Sequence, residues 1–225
     1  MRTYGAVILF TLFTWTASAG TKEVLERWNG WMAESASHLK AGEHKAALKL
    51  ANRTIKEMID QLGPGDASTE MFGTVLTYKA LAHAGLHEQE EALWYWQTVV
   101  NLYPKVAEAD LSMFGEAGEF LKNNVVAPPD LPKPEGDFIT PVLRKKTKPK
   151  FPHGAHYFGV TGELVVQVVV AQDGRVQSPA IVQPLPAPTL SYVALEALRR
   201  WRFDPARAGG TAVPYLFTLT INYKE

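Results

Sequence analysis

The sequence predicts an α+β fold, with an all-helical N-terminal half and a C-terminal module of three antiparallel strands and one helix. Three observations support this fold class. Apolar residues recur at three- and four-residue steps between residues 21 and 124, which is the pattern of amphipathic helices. A proline-rich stretch follows at 127–152. Beyond it, two stretches with the two-residue periodicity of β-strands precede a stretch with helical periodicity, and a third strand-like stretch follows the helix. This pattern predicts the order strand, strand, helix, strand.

Composition and charge exclude several classes of protein. The 23 basic and 23 acidic residues cancel, so no global field attracts nucleic acid. The chain has no cysteine, which excludes disulfides, thiolate metal sites and cysteine nucleophiles. It carries no glycine-rich phosphate loop, and His153 and His156 alone are too few ligands for a metal site. We therefore expect no enzymatic activity, no cofactor, no metal, and neither nucleic acid nor a small molecule as a ligand.

Residues 1–19 have the features of a secretory signal peptide. Arg2 supplies the positive charge, residues 6–15 the apolar core, and the small residues 17–19 a cleavage site before Gly20. The alternative is an uncleaved membrane anchor. A spanning helix needs about 20 predominantly apolar residues, and this stretch is shorter. The sequence therefore predicts export with cleavage.

The helical half, residues 20–126, contains two helical stretches, 28–62 and 71–102, separated by a glycine- and proline-containing stop at 63–68. The periodicity places one apolar stripe on each stretch. The expected stripes are Ala47, Leu50, Ala51, Thr54 and Met58 in the first stretch, and Ala92, Trp96, Val99 and Leu102 in the second.

The two stretches align at a spacing of 45 residues, with Ala47-Leu48 opposite Ala92-Leu93. This half resembles a degenerate tetratricopeptide array, whose repeat is about 34 residues long, and the loop between the stretches accounts for the excess. Ala92, Trp96 and Pro104 match that family's second-helix alanine, aromatic and closing proline, and Gly42 matches its turn glycine. The family's first-helix residues are not clearly present, so a helical bundle of no named family is the alternative. The resemblance implies a surface that binds another protein.

Residues 127–150 predict an extended linker. The stretch 127–152 holds seven of the fifteen prolines and few apolar residues, so it cannot bury enough surface to fold by itself. Five basic residues lie between Arg144 and Lys150. We interpret this run as a solvated linker; the alternative is contact with anionic lipid or an acidic partner.

Residues 151–225 predict the small sheet. Leu164, Val166, Val168 and Val170 share one face of a strand, Asp173-Gly174 forms a tight turn, and residues 175–183 return as a second strand. Pro179 places that second strand at an edge. The helix, 189–202, should pack its apolar stripe on the even-numbered face of the first strand, with four polar residues in solvent. The expected stripe is Leu190, Val193, Ala194, Ala197, Leu198 and Trp201, and the expected solvent-facing residues are Glu196, Arg199, Arg200 and Arg202.

The last strand, 211–223, should pair on the free side of the first strand and leave the second edge of the sheet open. No charged residue interrupts 213–223, and an unprotected edge is a candidate for strand addition by a peptide. The candidate peptide-binding residues are Val213, Tyr215, Leu216, Phe217, Thr218, Leu219, Thr220 and Ile221.

Residues 151–225 closely resemble the C-terminal domain of the TonB family of energy transducers. The matching positions are Phe151-Pro152, Gly162-Glu163, Asp173-Gly174-Arg175-Val176, Leu190, Ala194-Leu195, Trp201-Arg202-Phe203, Pro205-Ala206, Gly210 and Val213-Pro214. The resemblance implies a periplasmic domain that takes up a short segment of an outer-membrane transporter as an extra strand on its last strand. Carried over to this chain, that strand is 213–223.

Three hypotheses share this fold. The first is a periplasmic adaptor of a Gram-negative-type envelope, in which the sheet binds an outer-membrane transporter or other envelope protein and the helical half binds another. The second is an energy transducer anchored in the inner membrane by residues 1–19. The third is a structural envelope protein that forms a homodimer through the edges of the sheet.

Overall fold

A computed structural model of the protein describes residues 19–61, 69–124, 131, 137–152 and 161–223. The predicted signal segment, apart from Ala19, and the pair His153 and His156 lie outside the described residues. Within the described ranges, no helix is both long enough and apolar enough to cross a bilayer.

The N-terminal half is helical, as predicted, and each long helix packs on the next one in the chain. The side chains predicted for the two stripes are buried at Ala47, Ala51, Thr54 and Met58, and at Ala92, Trp96 and Val99. The helices are α1 (Ala19–Lys40), α2 (His44–Gln61), α3 (Thr69–Gly85), α4 (Gln89–Leu102), α5 (Pro104–Ala107) and α6 (Gly115–Asn123), with a 3-10 turn at Ser112–Phe114 before α6.

The two helix pairs, α1–α2 and α3–α4, repeat the same turn at a spacing of 45 residues. In the first turn, Nδ1 of His38 lies 2.5 Å from Oε2 of Glu43; in the second, Nδ1 of His83 lies 2.6 Å from Oε2 of Glu88. The central residue has a positive φ in both turns, 75° at Gly42 and 61° at His87. The duplication expected from the alanine–leucine alignment is therefore present in the backbone, whereas membership of the tetratricopeptide family stays a prediction.

The C-terminal module contains the predicted three-stranded sheet. Its strands are β3 (Gly162–Val170), β4 (Val176–Gln183) and β8 (Tyr215–Tyr223), in the antiparallel order β4-β3-β8. The even-numbered side chains of β3 are fully buried, in one cluster with the apolar residues of α7 (Pro188–Leu198). Pro179 lies in β4, at an edge of the sheet as expected.

Five short strands form two small ribbons beside the sheet. They are β1 (Phe138–Ile139), β2 (Val142–Lys145), β5 (Arg202–Asp204), β6 (Ala206–Ala208) and β7 (Thr211–Val213). β1 pairs with β6, β2 with β5, and β6 with β7, all antiparallel. The sequence did not predict β1 and β2. Proline prevents this stretch from folding by itself, but pairing with the chain after α7 supplies its hydrogen-bond partners.

The last strand begins later than predicted. Thr211–Val213 turns back on β6, with Val213 opposite Ala206, and the nine-residue strand that pairs with β3 begins at Tyr215. Pro214 separates the two because it has no amide hydrogen to continue a ladder.

The polar face of α7 is not in solvent at every predicted position. The hydroxyl of Tyr95 on α4 donates to Oε2 of Glu196 (3.4 Å), and Arg199 pairs with Glu91. Arg200 and Arg202 are exposed, as expected. The prediction was wrong at Glu196 and Arg199 because a second packed body, the helical half, covers that side of the helix.

Candidate functional site: the free edge of the C-terminal sheet

β8 forms one edge of the main sheet along all nine of its residues. It pairs with β3 in a continuous register from Gly162 opposite Tyr223 to Val170 opposite Tyr215, without a bulge. Within the described residues, no strand pairs on its other side. Seven of the eight predicted peptide-binding residues lie in β8, and only Val213 lies outside it, in β7.

The direction of the backbone groups of β8 follows from the hairpin on the other side of β3. The amide of Ala171, the residue after β3, donates to the carbonyl of Arg175 (2.9 Å), so its backbone groups point toward β4. Backbone groups of successive residues point to opposite neighbours, so those of Val170 point toward β8. Val170 opposes Tyr215. The odd-numbered residues of β8 therefore bond to β3, and the even-numbered residues direct their N–H and C=O groups to the free edge.

Four even-numbered residues of β8 thus form the candidate site: Leu216, Thr218, Thr220 and Asn222. Their side chains lie on the opposite face of the strand from Ile221 and Tyr223, which are buried. Leu216 is half-buried, and the other three are exposed. Asn222 was missing from the predicted set, although the alternation that contains Thr218 and Thr220 extends to it.

The other edge of the sheet, β4, is closed in two ways. Pro179 has no amide hydrogen, and Ser178 beside it has a positive φ of 49°, which distorts the strand. In addition, the side chain of Asn101 on α4 accepts from the Ile181 amide (3.0 Å) and donates to the Pro179 carbonyl (3.4 Å). A single side-chain amide therefore occupies backbone positions that a neighbouring strand would use.

A charged cleft lies where α4, β4 and α7 meet. Its volume is about 610 Å³, and Arg175 pairs there with Glu90 at 3.0 Å. Burial raises the pKa of the Glu196 carboxyl, and the nearby Lys79 ammonium opposes that rise. Burial likewise raises the pKa of the Tyr95 hydroxyl. These groups bond mainly to one another across the two halves, an arrangement that joins the halves rather than one that positions a nucleophile beside a base.

Among the described residues, no three His, Asp or Glu side chains are grouped in a way that could hold a metal ion.

Comparison with known proteins assigns the C-terminal module. Residues 147–224 match the family model for the Gram-negative bacterial TonB protein C-terminal domain. The chain is 31% identical over 80 residues to Protein TonB of Escherichia coli (strain K12), which covers 35% of this chain and 34% of that protein. It is 29% identical over 79 residues to Protein TonB of Yersinia enterocolitica, covering 35% and 31% respectively.

The chain thus spans about a third of the length of the curated relatives that it matches, and both matches are of domain length. The three-stranded sheet with one helix occupies the matched residues, as the resemblance in the sequence implied. Residues 147–224 are therefore a TonB C-terminal domain, which this chain carries behind a helical half.

Proposed function

We propose that the protein is a non-enzymatic binding protein of the cell envelope, whose TonB C-terminal domain takes up an extended peptide of an outer-membrane protein as a fourth strand on β8. One observation carries the proposal. The even-numbered residues of β8 present their backbone groups to an edge on which no described strand pairs, while Asn101 and Pro179 close the opposite edge. A peptide strand therefore has one place to add.

The backbone supplies affinity and the side chains supply selectivity. Each ladder hydrogen bond contributes about 0.5–1.5 kcal/mol net, so four of them supply about 2–6 kcal/mol, which is part of the roughly 8 kcal/mol that micromolar binding requires. The neighbouring side chains on the exposed face are small and uncharged at Thr218 and Thr220. We expect them to favour β-branched or small peptide residues over bulky charged ones.

The helical half is proposed to bind a second protein through α1 and α2, because α3 and α4 already contact the sheet domain. Trp31 on α1 is half-buried, and the guanidinium carbons of Arg53 and Arg27 lie 4.1 and 5.7 Å from its ring centroid. Tryptophan and arginine are enriched among the residues that dominate protein interfaces.

The first test replaces Thr218 with proline. This change removes one outward amide and leaves the ladder to β3 intact, because edge strands tolerate proline where the N–H faces away. We expect peptide affinity to fall about five- to thirtyfold, from the loss of one hydrogen bond and the disturbance of its neighbours. The measurement is fluorescence anisotropy with tiled synthetic peptides from periplasm-facing segments of outer-membrane transporters of the same organism.

Thr218→Ala is the matched control, since it removes the same side chain and keeps the amide; its affinity should stay within about threefold of the original. Amide hydrogen exchange gives an independent readout. The amides of residues 218, 220 and 222 should become protected only when peptide is added, whereas those of 217, 219 and 221 should be protected beforehand. Equal affinity of the proline and alanine variants, without new protection at the even-numbered amides, would reject strand addition at β8.

A homodimer through the same edge predicts a different result. Protection of the even-numbered amides would then rise with protein concentration in the absence of peptide, together with the mass measured by sedimentation equilibrium.

The anchored-transducer hypothesis differs at the N-terminus. It requires a full-length mass and recovery in the inner membrane, whereas the adaptor should be recovered in soluble form beginning at Gly20.

A further inference from the structure

The stretch that the sequence indicated as a linker is held against the sheet domain. β1 and β2 pair with β6 and β5 in one register, from Phe138 opposite Ala208 to Leu143 opposite Phe203. We call residues 137–150 together with 202–208 the basic ribbon. Its cations are thus attached to paired or anchored backbone rather than to a free chain.

Side chains fix the ribbon on both sides of the pairing. The indole N–H of the buried Trp201 donates to the carbonyl of Thr147 (2.8 Å), and the Lys146 ammonium lies 5.2 Å from the centroid of the same ring. At the other end, the rings of Phe138 and Tyr215 lie 5.1 Å apart, which connects the ribbon to the beginning of β8. The position of the ribbon relative to the candidate peptide edge is therefore fixed.

The ribbon concentrates positive charge in a chain with no net charge. It carries seven cations and two carboxylates, those of Asp137 and Asp204, which leaves a net charge of +5. Asp204 pairs with Arg144 (3.0 Å). The seven cations, all exposed, are Arg144, Lys145, Lys146, Lys148, Lys150, Arg202 and Arg207.

The same ribbon exposes aliphatic side chains. Ile139 is 60% exposed, Val142 55% and Leu143 41%, and among the described residues only Met113 and Val182 are other large hydrophobic side chains with comparable exposure. Single exposed apolar residues are ordinary, but three within five positions, next to a run of cations, form a local amphipathic surface.

We propose that the basic ribbon docks on the surface of a bilayer rich in anionic phospholipid. A cluster of four to eight lysines and arginines gains about fivefold in binding per residue near such a surface. Exposed aliphatic side chains add to this gain by entering the boundary between headgroups and acyl chains. Nucleic acid fits the surface less well, because the ribbon exposes aliphatic side chains, whereas its two aromatic rings are occupied: Phe203 is buried and Phe138 packs against Tyr215.

Docking through the ribbon would place the beginning of β8 beside the bilayer, through the contact between Phe138 and Tyr215. A membrane protein that offers an extended segment near its own membrane surface would then meet the peptide edge at short range. The proposal stands on the ribbon alone, however, and does not require strand addition.

The test is flotation of the full chain with vesicles of phosphatidylglycerol and phosphatidylcholine in equal parts, compared with phosphatidylcholine alone. Residues 1–19 are apolar enough to bind any bilayer, so the measured quantity is the ratio of the two partition coefficients. The ribbon variant replaces Lys145, Lys148 and Lys150 with glutamine. We expect this ratio to fall about a hundredfold for three charges, and to fall for the wild type as salt is raised.

The control variant replaces Lys45, Lys49 and Lys56 with glutamine, which are exposed lysines of α2. It makes the same change in net charge away from the ribbon, so its ratio should stay within about twofold of the wild type. Equal loss in the two triple variants would overturn the proposal, since binding would then depend on total charge.

A double variant, Ile139→Ser with Val142→Ser, separates a bilayer from an acidic protein partner. It should lower vesicle binding several-fold at high salt, where the charges are screened. A polyglutamate peptide serves as the acidic probe. If the wild type binds polyglutamate as tightly as anionic vesicles, and the double variant leaves both unchanged, the ribbon is a site for acidic protein and the membrane proposal is wrong.

Discussion

At the scale of single residues, two glycines with nearly the same backbone conformation have different roles. Gly174 has a φ of 77° and Gly42 a φ of 75°, so an L side chain is strained at both positions. Around Gly42 the space is open, whereas a Cβ on Gly174 would overlap the carbonyl oxygen of Phe203. Gly174 also accepts a hydrogen bond from the amide of Phe203 (2.9 Å), which joins the β3–β4 turn to β5.

We predict that Gly174→Ala destabilises the protein by more than about 3 kcal/mol, because the backbone strain is combined with displacement of β5. Gly42→Ala carries the strain alone and should cost about 1 kcal/mol. Urea unfolding of both variants measures the difference. Similar losses would show that the contact with Phe203 contributes nothing beyond the strain.

At the scale of secondary-structure elements, a helix protects a sheet edge through one side chain. Asn101 donates to the Gln97 carbonyl within α4 (2.6 Å) and also bonds to the backbone of β4 at Pro179 and Ile181. The strand so protected is already irregular at Ser178. The helical half thereby contributes to the asymmetry between the closed edge and the open one.

We predict that Asn101→Ala costs about 1–3 kcal/mol, because it leaves the Ile181 amide without its acceptor. Asn124→Ala is the control: Asn124, at the end of α6, makes the same kind of bond to the Phe120 carbonyl of that helix (2.8 Å), four residues before it. It should cost less than about 1 kcal/mol. Faster hydrogen exchange at Ile181 is expected in the Asn101 variant and not in the Asn124 variant.

At the scale of the whole molecule, the helical half and the sheet domain form one packed body. The rings of Phe72 on α3 and Tyr192 on α7 lie 5.2 Å apart, edge to face. Beside this contact, Lys79 is only 8% exposed, and its ammonium lies 4.0 Å from the centroid of the Tyr95 ring. Burial lowers the pKa of Lys79 to about 8; the Glu196 carboxylate opposes this shift, and the guanidinium groups of Arg199 and Arg200 add to it.

This depressed pKa predicts how stability depends on pH. The folded state releases the Lys79 proton near pH 8, while the unfolded state holds it up to the ordinary value of 10.5. The unfolded state therefore binds more protons in that window, so stability should rise with pH. Between about pH 7.5 and about pH 9.5, the rise from this group should be about 2 kcal/mol.

Lys79→Met should abolish that rise, which urea unfolding at the two pH values measures as a difference between variants. Lys105→Met, at an exposed lysine of α5, should keep the wild-type dependence on pH. If the free energy of unfolding changed by the same amount between the two pH values in the wild type and in both variants, a buried ammonium at the contact between the halves would be contradicted.

The sequence by itself determined the helical N-terminal half, the three main strands with their helix, and the type of the C-terminal domain. Alternation at β3 and periodicity at α4 are local consequences of which side chains must be buried, and the Asp173-Gly174 turn and Pro179 set the order and edge of the strands. Only the tertiary structure decided what depends on contacts between distant residues. These are the pairing of 138–145 with the chain after α7, the burial of Glu196 against α4, and the closure of β4 by Asn101. Each joins residues more than 50 positions apart, and no local pattern specifies which distant surface will cover an exposed face or pair with a proline-rich segment.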